Sequence, residues 1–233
     1  MMSKPDANGQ NSRSLPSFFY GRRTKPLPAV ESLLSAFRPV STPFELAQSN
    51  YYHFPLAQSE SGFILLEEGV ASVCFAENQL VISTILAPAI LGLIDNYGVF
   101  NGLPDKRHCS LFAETDLSGR WIAHQAAVNI LNEKNLWQEM AHILTQRLMV
   151  LSMRERELLG VDSYQMVRIL LMELAVYSET YRRQINVLRF IQRRTNLSRS
   201  RIMSILSELR KGGYIIIHRG VLMTIAQPLP ANF

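Results

Sequence analysis

A chain of 233 residues with 47% hydrophobic content has room for one large or two small packed domains, and this excludes a fibrous or wholly disordered chain. Two cysteines, Cys74 and Cys109, with no C-x-x-C pair, exclude a disulfide framework and fit a reducing, cytoplasmic setting. The net charge is +5, yet Arg182 to Arg219 alone holds nine arginines and one lysine against the single acid Glu208, so the rest of the chain is net acidic. Positive charge gathered in one segment points to a polyanionic partner.

The N-terminal stretch MMSKPDANGQNSRS is polar and lacks the apolar stretch of a signal peptide. Residues 1–25 are predicted to form a disordered arm, with Arg22, Arg23 and Lys25 in a solvated tail. Pro28 to Phe37 reads as a short helix. Pro28 suits its first turn, and Val30, Leu33, Leu34 and Phe37 form its apolar face. From Pro39 to Glu114 the pattern changes to short strands. Ser61–Leu66, Val70–Phe75 and Gln79–Leu86 are separated by turns at Glu67-Glu68-Gly69 and Glu77-Asn78, and Ala87-Pro88 makes the next break. Strands at that spacing predict a barrel or sandwich, placed over residues 26–135. The most apolar run, Leu80 to Ile94, is 15 residues long and contains Pro88. It is too short for a membrane span and is read as core strand.

Arg120–Leu131 is predicted to be helical, followed by a break at Asn132–Asn135 and a long helix over 136–159. Trp137, Leu144, Leu151 and Leu158 recur every seven residues, and Ala141 and Leu148 follow Trp137 and Leu144 by four, which completes a seam spaced four and three. That seam predicts a dimerisation helix; packing against the chain's own barrel is the alternative. A homodimer suits a DNA partner, because paired half-sites lie about 34 Å apart.

Gly160-Val161-Asp162-Ser163 is the expected hinge to a second domain, residues 162–233. Asp162 and Gln165 resemble a capping box at the head of a support helix that runs to about Tyr181 through Met166, Val167, Leu170, Leu171, Leu174 and Tyr177. Asn186 caps a short helix carrying Val187, Leu188, Phe190 and Ile191. A turn at Thr195-Asn196-Leu197 is expected to use the left-handed conformation that Asn tolerates. Ser198 caps a second helix whose Ile202, Ile205, Leu206 and Leu209 form one buried stripe. Arg199, Ser200, Arg201 and Ser204 lie off the stripe and are the candidate base readers. Gly212-Gly213 ends that helix, and a hairpin follows whose tip is His218-Arg219-Gly220. Arg193, Arg194, Ser198, Lys211, His218 and Arg219 are the expected phosphate contacts. This order is that of a winged helix-turn-helix acting on double-stranded DNA.

Leu197-Ser198-Arg199-Ser200-Arg201-Ile202, followed by Gly213-Tyr214-Ile215, resembles the L-S-R-E-T-V…G-L-I pattern of the cyclic-AMP receptor protein and FNR family of bacterial transcription regulators. Phe63-Ile64-Leu65-Leu66-Glu67-Glu68-Gly69 is similar to that family's early barrel strands. The resemblance spans residues 28–226. It implies an α+β fold: an N-terminal cyclic-nucleotide-binding-like β-barrel of jelly-roll type, a long dimerisation helix and a C-terminal winged helix-turn-helix, with RNA polymerase as a further partner. Within the family the chain is most similar to an enterobacterial branch called inhibitor of hydrogen peroxide resistance, whose name links it to oxidative stress.

The resemblance puts Arg199 in the guanine-reading place, and a bidentate guanidinium does match guanine O6 and N7. Ser200 stands where the family carries an acid and Ser204 where it carries an arginine, so the family's familiar operator is not expected. The nucleotide cassette is also altered. Gly92-Leu93-Ile94-Asp95 has Leu where a ribose-binding acid belongs, and Arg107-His108 is a poorly spaced stand-in for the phosphate-binding pair. Cyclic nucleotide is therefore not the expected ligand, and two cysteines are too few for an iron–sulfur cluster. His53, His108, His124 and His142 are candidate haem ligands, with a lone surface or core histidine as the commoner alternative for each, and no metal or cofactor is expected. A cupin-like enzyme lacks its His-x-His pair, and no Ser-His-Asp set or Gly-rich phosphate loop is visible. The chain is read as a non-enzyme. A barrel that binds a small apolar molecule is the alternative reading. Cys74 and Cys109 are candidate redox groups, with two buried structural thiols as the alternative.

Overall fold

The computed structural model describes residues 17–55, 57–101, 109–158 and 160–231. It begins with two helices, α1 (Ser17–Arg23) and α2 (Leu27–Phe37). The first corrects the expectation of a disordered arm reaching residue 25; residues 1–16 lie outside the described ones. The polar average of the arm hides the aromatic run Phe18-Phe19-Tyr20. Phe18 packs edge-on to Tyr177 at 5.2 Å, and Gln146 donates to the Gly21 carbonyl at 3.0 Å.

Eight strands follow: β1 (Thr42–Leu46), β2 (Tyr51–His53), β3 (Gly62–Glu68), β4 (Val70–Phe75), β5 (Val81–Leu86), β6 (Ala89–Leu91), β7 (Cys109–Ala113) and β8 (Leu117–Ala123). Helix α3 (Leu93–Phe100) stands between β6 and β7. The strands form two four-stranded antiparallel sheets, ordered β1-β8-β3-β6 and β2-β7-β4-β5. This is a jelly roll. The run Phe63-Ile64-Leu65-Leu66 is apolar throughout because β3 is covered on both faces. Ile64 and Leu66 point into the barrel with Ala71, Leu111 and Leu117, while Phe63 and Leu65 meet α2 on the outside.

The predicted helix over Arg120–Leu131 is corrected at its start. Arg120 and Trp121 pair with Leu65 and Ile64 in β8, and the helix α4 (His124–Glu133) begins only after Ala123. Trp121 and Ile122 suit a strand as well as a helix, and pairing on both sides with β1 and β3 decides it.

Helix α5 (Trp137–Leu158) buries Met140 and Ile143 against α2 and α4. The second domain consists of α6 (Ser163–Val176), α7 (Glu179–Arg182), α8 (Val187–Gln192), α9 (Arg199–Lys211) and the hairpin β9 (Ile215–His218) and β10 (Val221–Ile225). Asp162 caps α6 by accepting from the Gln165 N–H at 2.9 Å. The support helix stops at Val176 rather than Tyr181, because Ser178 accepts from the Tyr181 N–H and starts the separate turn α7. Val167, Leu170, Leu171, Phe190, Ile202 and Leu209 meet in the core of this domain.

Candidate nucleic-acid interface

Helix α9 is the centre of the site. Ser198 Oγ accepts from the Arg201 N–H at 3.2 Å and satisfies one of the free donors of its first turn. Ile202, Ile205, Leu206 and Leu209 are at most 4% exposed and hold the helix to the domain core. Arg199, Ser200, Arg201 and Ser204 are all exposed. The first turn of α9 therefore presents its guanidiniums and hydroxyls outward from a fixed backbone. Asn196 makes the preceding turn without the expected left-handed conformation; the described non-glycine residues with positive φ are Ser49, Gln79, Asn135 and Arg219.

The hairpin tip sits beside the N-terminus of α8. Arg219 and Gly220 form its two-residue loop with φ of 48° and 81°, a pair suited to a type I′ turn. A Cβ on Gly220 would stand 2.5 Å from Asn186 Nδ2, and the Gly220 carbonyl accepts from the Val187 N–H at 2.8 Å. The wing is thus anchored while His218 and Arg219 stay exposed. Lys211 makes an exposed pair with Glu208 at 3.1 Å, which leaves its charge in solvent.

Two expected phosphate contacts are not at this surface. Arg194 has a side chain 1% exposed, because it leaves the end of α8 in the other direction and is sealed against the outer face of the barrel sheet. Its Nη2 donates to Thr84 Oγ1 at 2.9 Å and to Ser72 Oγ and Glu114 Oε1 at 3.3 Å. Its Nε lies 3.8 Å from Glu173, and the guanidinium stacks on Phe190 at 3.7 Å. Burial opposes the charge, but the carboxylates of Glu173 and Glu114 outweigh it and hold the pKa above its ordinary value. Arg193 lies over Phe112 at 3.8 Å and 3.7 Å from Glu114, and its carbonyl accepts from the Val81 N–H. Glu173 also takes a hydrogen bond from Tyr177 at 2.9 Å and pairs with Arg154 of α5 at 3.6 Å. These groups bind the DNA-facing domain to the barrel. Sequence reading missed Glu114, Glu173, Ser72 and Thr84, because nothing local to α8 signals them.

The seam side chains of α5 are uncovered: Trp137 is 46%, Leu144 46% and Leu148 68% exposed, with Ala141 exposed and Leu151 half-buried. Leu158 is the last residue of α5, and its side chain lies outside the described set. Helix α1 lies on another side of α5, along Gln146, Val150 and Glu157, and leaves the seam open.

Cys74 and Cys109 are both buried. Cys74 pairs across the sheet with Ser110 and Phe75 with Cys109, so the two thiols point to opposite faces and cannot join directly in this fold. Cys74 Sγ lies 3.7 Å from Arg193 Nη2, and burial pushes its thiol pKa up. Leu93, at the place that the family resemblance gives to the ribose acid, packs against the apolar cluster that α2, β3, α4 and α5 share. Arg107 and His108 lie outside the described residues. His124 stacks on Phe100 at 3.8 Å, and His53 and His142 are exposed. Among the described residues no His, Cys, Asp and Glu cluster could hold a metal, and no helix is long and apolar enough to cross a membrane.

Residues 163–231 match the family of winged helix-turn-helix DNA-binding domains. The whole fold is similar to the c-di-GMP-responsive global regulator CLP of Xanthomonas campestris, with a TM-score of 0.68 at 15% identity over 84% of this chain and 100% of that one. It is also similar to a CRP/FNR-family transcriptional regulator of Eubacterium rectale, with a TM-score of 0.63 at 14% identity over 88% and 95% of the two chains. An exposed, capped helix in a winged helix-turn-helix, joined to a jelly roll, defines the class: a DNA-binding protein of CRP/FNR architecture. The inhibitor of hydrogen peroxide resistance of Escherichia coli K12 is 31% identical over 210 residues, 90% of this chain and 98% of that protein. The chain belongs to that family.

Proposed function

We propose that the chain works as a homodimer that binds a two-fold DNA operator through α9 and controls genes of the peroxide response. The exposed first turn of α9, fixed by the Ser198 cap, carries this reading. Arg199 reads a guanine, and Ser200, Arg201 and Ser204 face neighbouring base edges. Ser198, Lys211, His218 and Arg219 hold phosphates. The apolar seam Trp137–Ala141–Leu144–Leu148–Leu151 joins two protomers, so that two α9 helices meet half-sites about 34 Å apart. The peroxide link rests on the name of the Escherichia coli relative. The barrel does not answer to cyclic nucleotide, because Leu93 offers no acceptor to a ribose hydroxyl. The protein is cytoplasmic, performs no catalysis, and meets RNA polymerase at its promoters.

The test is selection of binding sites from random duplexes with the purified full-length protein. The expected result is a palindrome with half-sites one helical turn apart, and a two-protomer mass in solution. A non-palindromic motif bound by a monomer would overturn the dimer, and no selected sequence would overturn the whole reading.

A further inference from the structure

Four apolar side chains of α9 are buried and one is not: Met203 is 46% exposed. It follows Arg199 and Ser200 by four and three residues, so it lies one helical turn along the same outward strip. Its neighbours on that strip, Ser200, Ser204 and Ser207, are short, and Met203 is the longest uncharged side chain there. Elsewhere on a surface, a single exposed apolar side chain needs no explanation. On a strip that loses its water to a base-pair edge, its chemistry restricts what it can meet. A thioether has no donor and is a weak acceptor, so it cannot satisfy the N7 and O6 acceptors of the major groove and serves its N6 and N4 donors poorly. The apolar feature there is the thymine C5-methyl group.

We infer that Met203 is a specificity-determining residue that selects thymine at a base pair beside the one read by Arg199. The inference rests on the reading of α9 as the recognition helix. The serines around Met203 give it room: they leave the groove floor free for a long flexible side chain and supply hydroxyls that tolerate either base-pair orientation.

The experiment uses the selected operator and the full-length protein, with Met203→Ser and Met203→Leu as variants. Thermal unfolding confirms that both variants fold. Each thymine of a half-site is replaced in turn by deoxyuridine, which removes only the methyl group. At one position per half-site, wild type is expected to lose about fourfold in affinity, the size of one buried methyl group. Met203→Ser is expected to be indifferent to that replacement, and Met203→Leu to keep most of the sensitivity. At the same position, 5-methylcytosine paired with guanine is expected to bind wild type more tightly than cytosine does. A wild type indifferent to deoxyuridine at every position overturns the inference, as does undiminished sensitivity in Met203→Ser. Both outcomes leave the DNA-binding reading standing. If wild type selects no sequence at all, that reading falls and this inference falls with it.

Discussion

Two pairs of arginines flank one turn of this chain and have opposite surroundings. Arg199 and Arg201 stand in solvent at the head of α9, while Arg193 and Arg194, at the end of α8, are held against the outer face of the barrel. Identical chemistry, a few residues apart, serves an open surface in one case and an internal joint in the other. The difference lies in the supply of counter-charge. Glu114 from the barrel domain pairs with Arg193 and Arg194, Glu173 of α6 pairs with Arg194, and neither acid reaches Arg199 or Arg201. A run of positive charge therefore overstates the size of a DNA-binding surface whenever acids from another domain neutralise part of it.

The comparison breaks most visibly at Arg194. Arg194→Ala leaves Glu173 and Glu114 buried with one cation fewer, and a broken buried pair costs about 3–5 kcal/mol. Urea denaturation should show that loss, and a change under about 1 kcal/mol would mean that the joint is solvated rather than sealed. Arg199→Ala should do the opposite. Its stability should stay within about 0.5 kcal/mol of wild type, while discrimination at one base pair per half-site falls by about 1–3 kcal/mol in competition binding. Equal weakening on every sequence would make Arg199 a phosphate contact.

Salt dependence sharpens the same contrast. Arg219→Gln and Lys211→Gln should each lower the slope of log affinity against log salt by about 1 per protomer. Arg193→Gln should leave the slope unchanged, since its charge is already matched by Glu114. A slope that falls with Arg193→Gln would show that the joint opens when DNA binds. Ser198→Ala has a smaller effect: removing the cap of α9 should cost about 1 kcal/mol in thermal unfolding, with Ser198→Asn close to wild type.

What the sequence made legible follows the range of the interactions involved. The cap at Ser198, the stripe Ile202–Leu209 and the His218–Gly220 tip depend on neighbours within a few residues, and all can be read directly. The apolar run in β3 signals a strand buried on both faces. Arg194 has the same local context as a surface arginine; its partners Ser72, Thr84 and Glu114 come from the other domain and leave no local trace. Helix α1 was hidden because a polar composition averaged over 25 residues outweighs three aromatics, and its packing partner Tyr177 is in the second domain. Met203 could have been read from the sequence: it falls outside the buried stripe in a position that periodicity alone assigns to the surface.

The gentlest test comes from half-buried cations that no carboxylate offsets. Lys25 donates to the Leu86 carbonyl and Arg147 to that of Ile90 at 2.7 Å, and among the described residues neither makes an ion pair. Burial, with repulsion from Arg147 second, lowers the Lys25 pKa from 10.5 to about 8. Burial lowers that of Arg147 to about 10. Arg194 shifts upward instead, which is the effect its acids have. Between pH 8 and 10.5 the unfolded chain holds the Lys25 proton more tightly than the folded one does. The Lys25 contribution to stability therefore rises as pH rises through that window and is unfavourable below it. Lys25→Met should melt higher than wild type at pH 7, by no more than about 2–4 °C, and the advantage should fade as pH approaches 10.5. An advantage that stays constant across the window would mean that Lys25 is held charged by an acid, and that it belongs with Arg194 rather than opposite it.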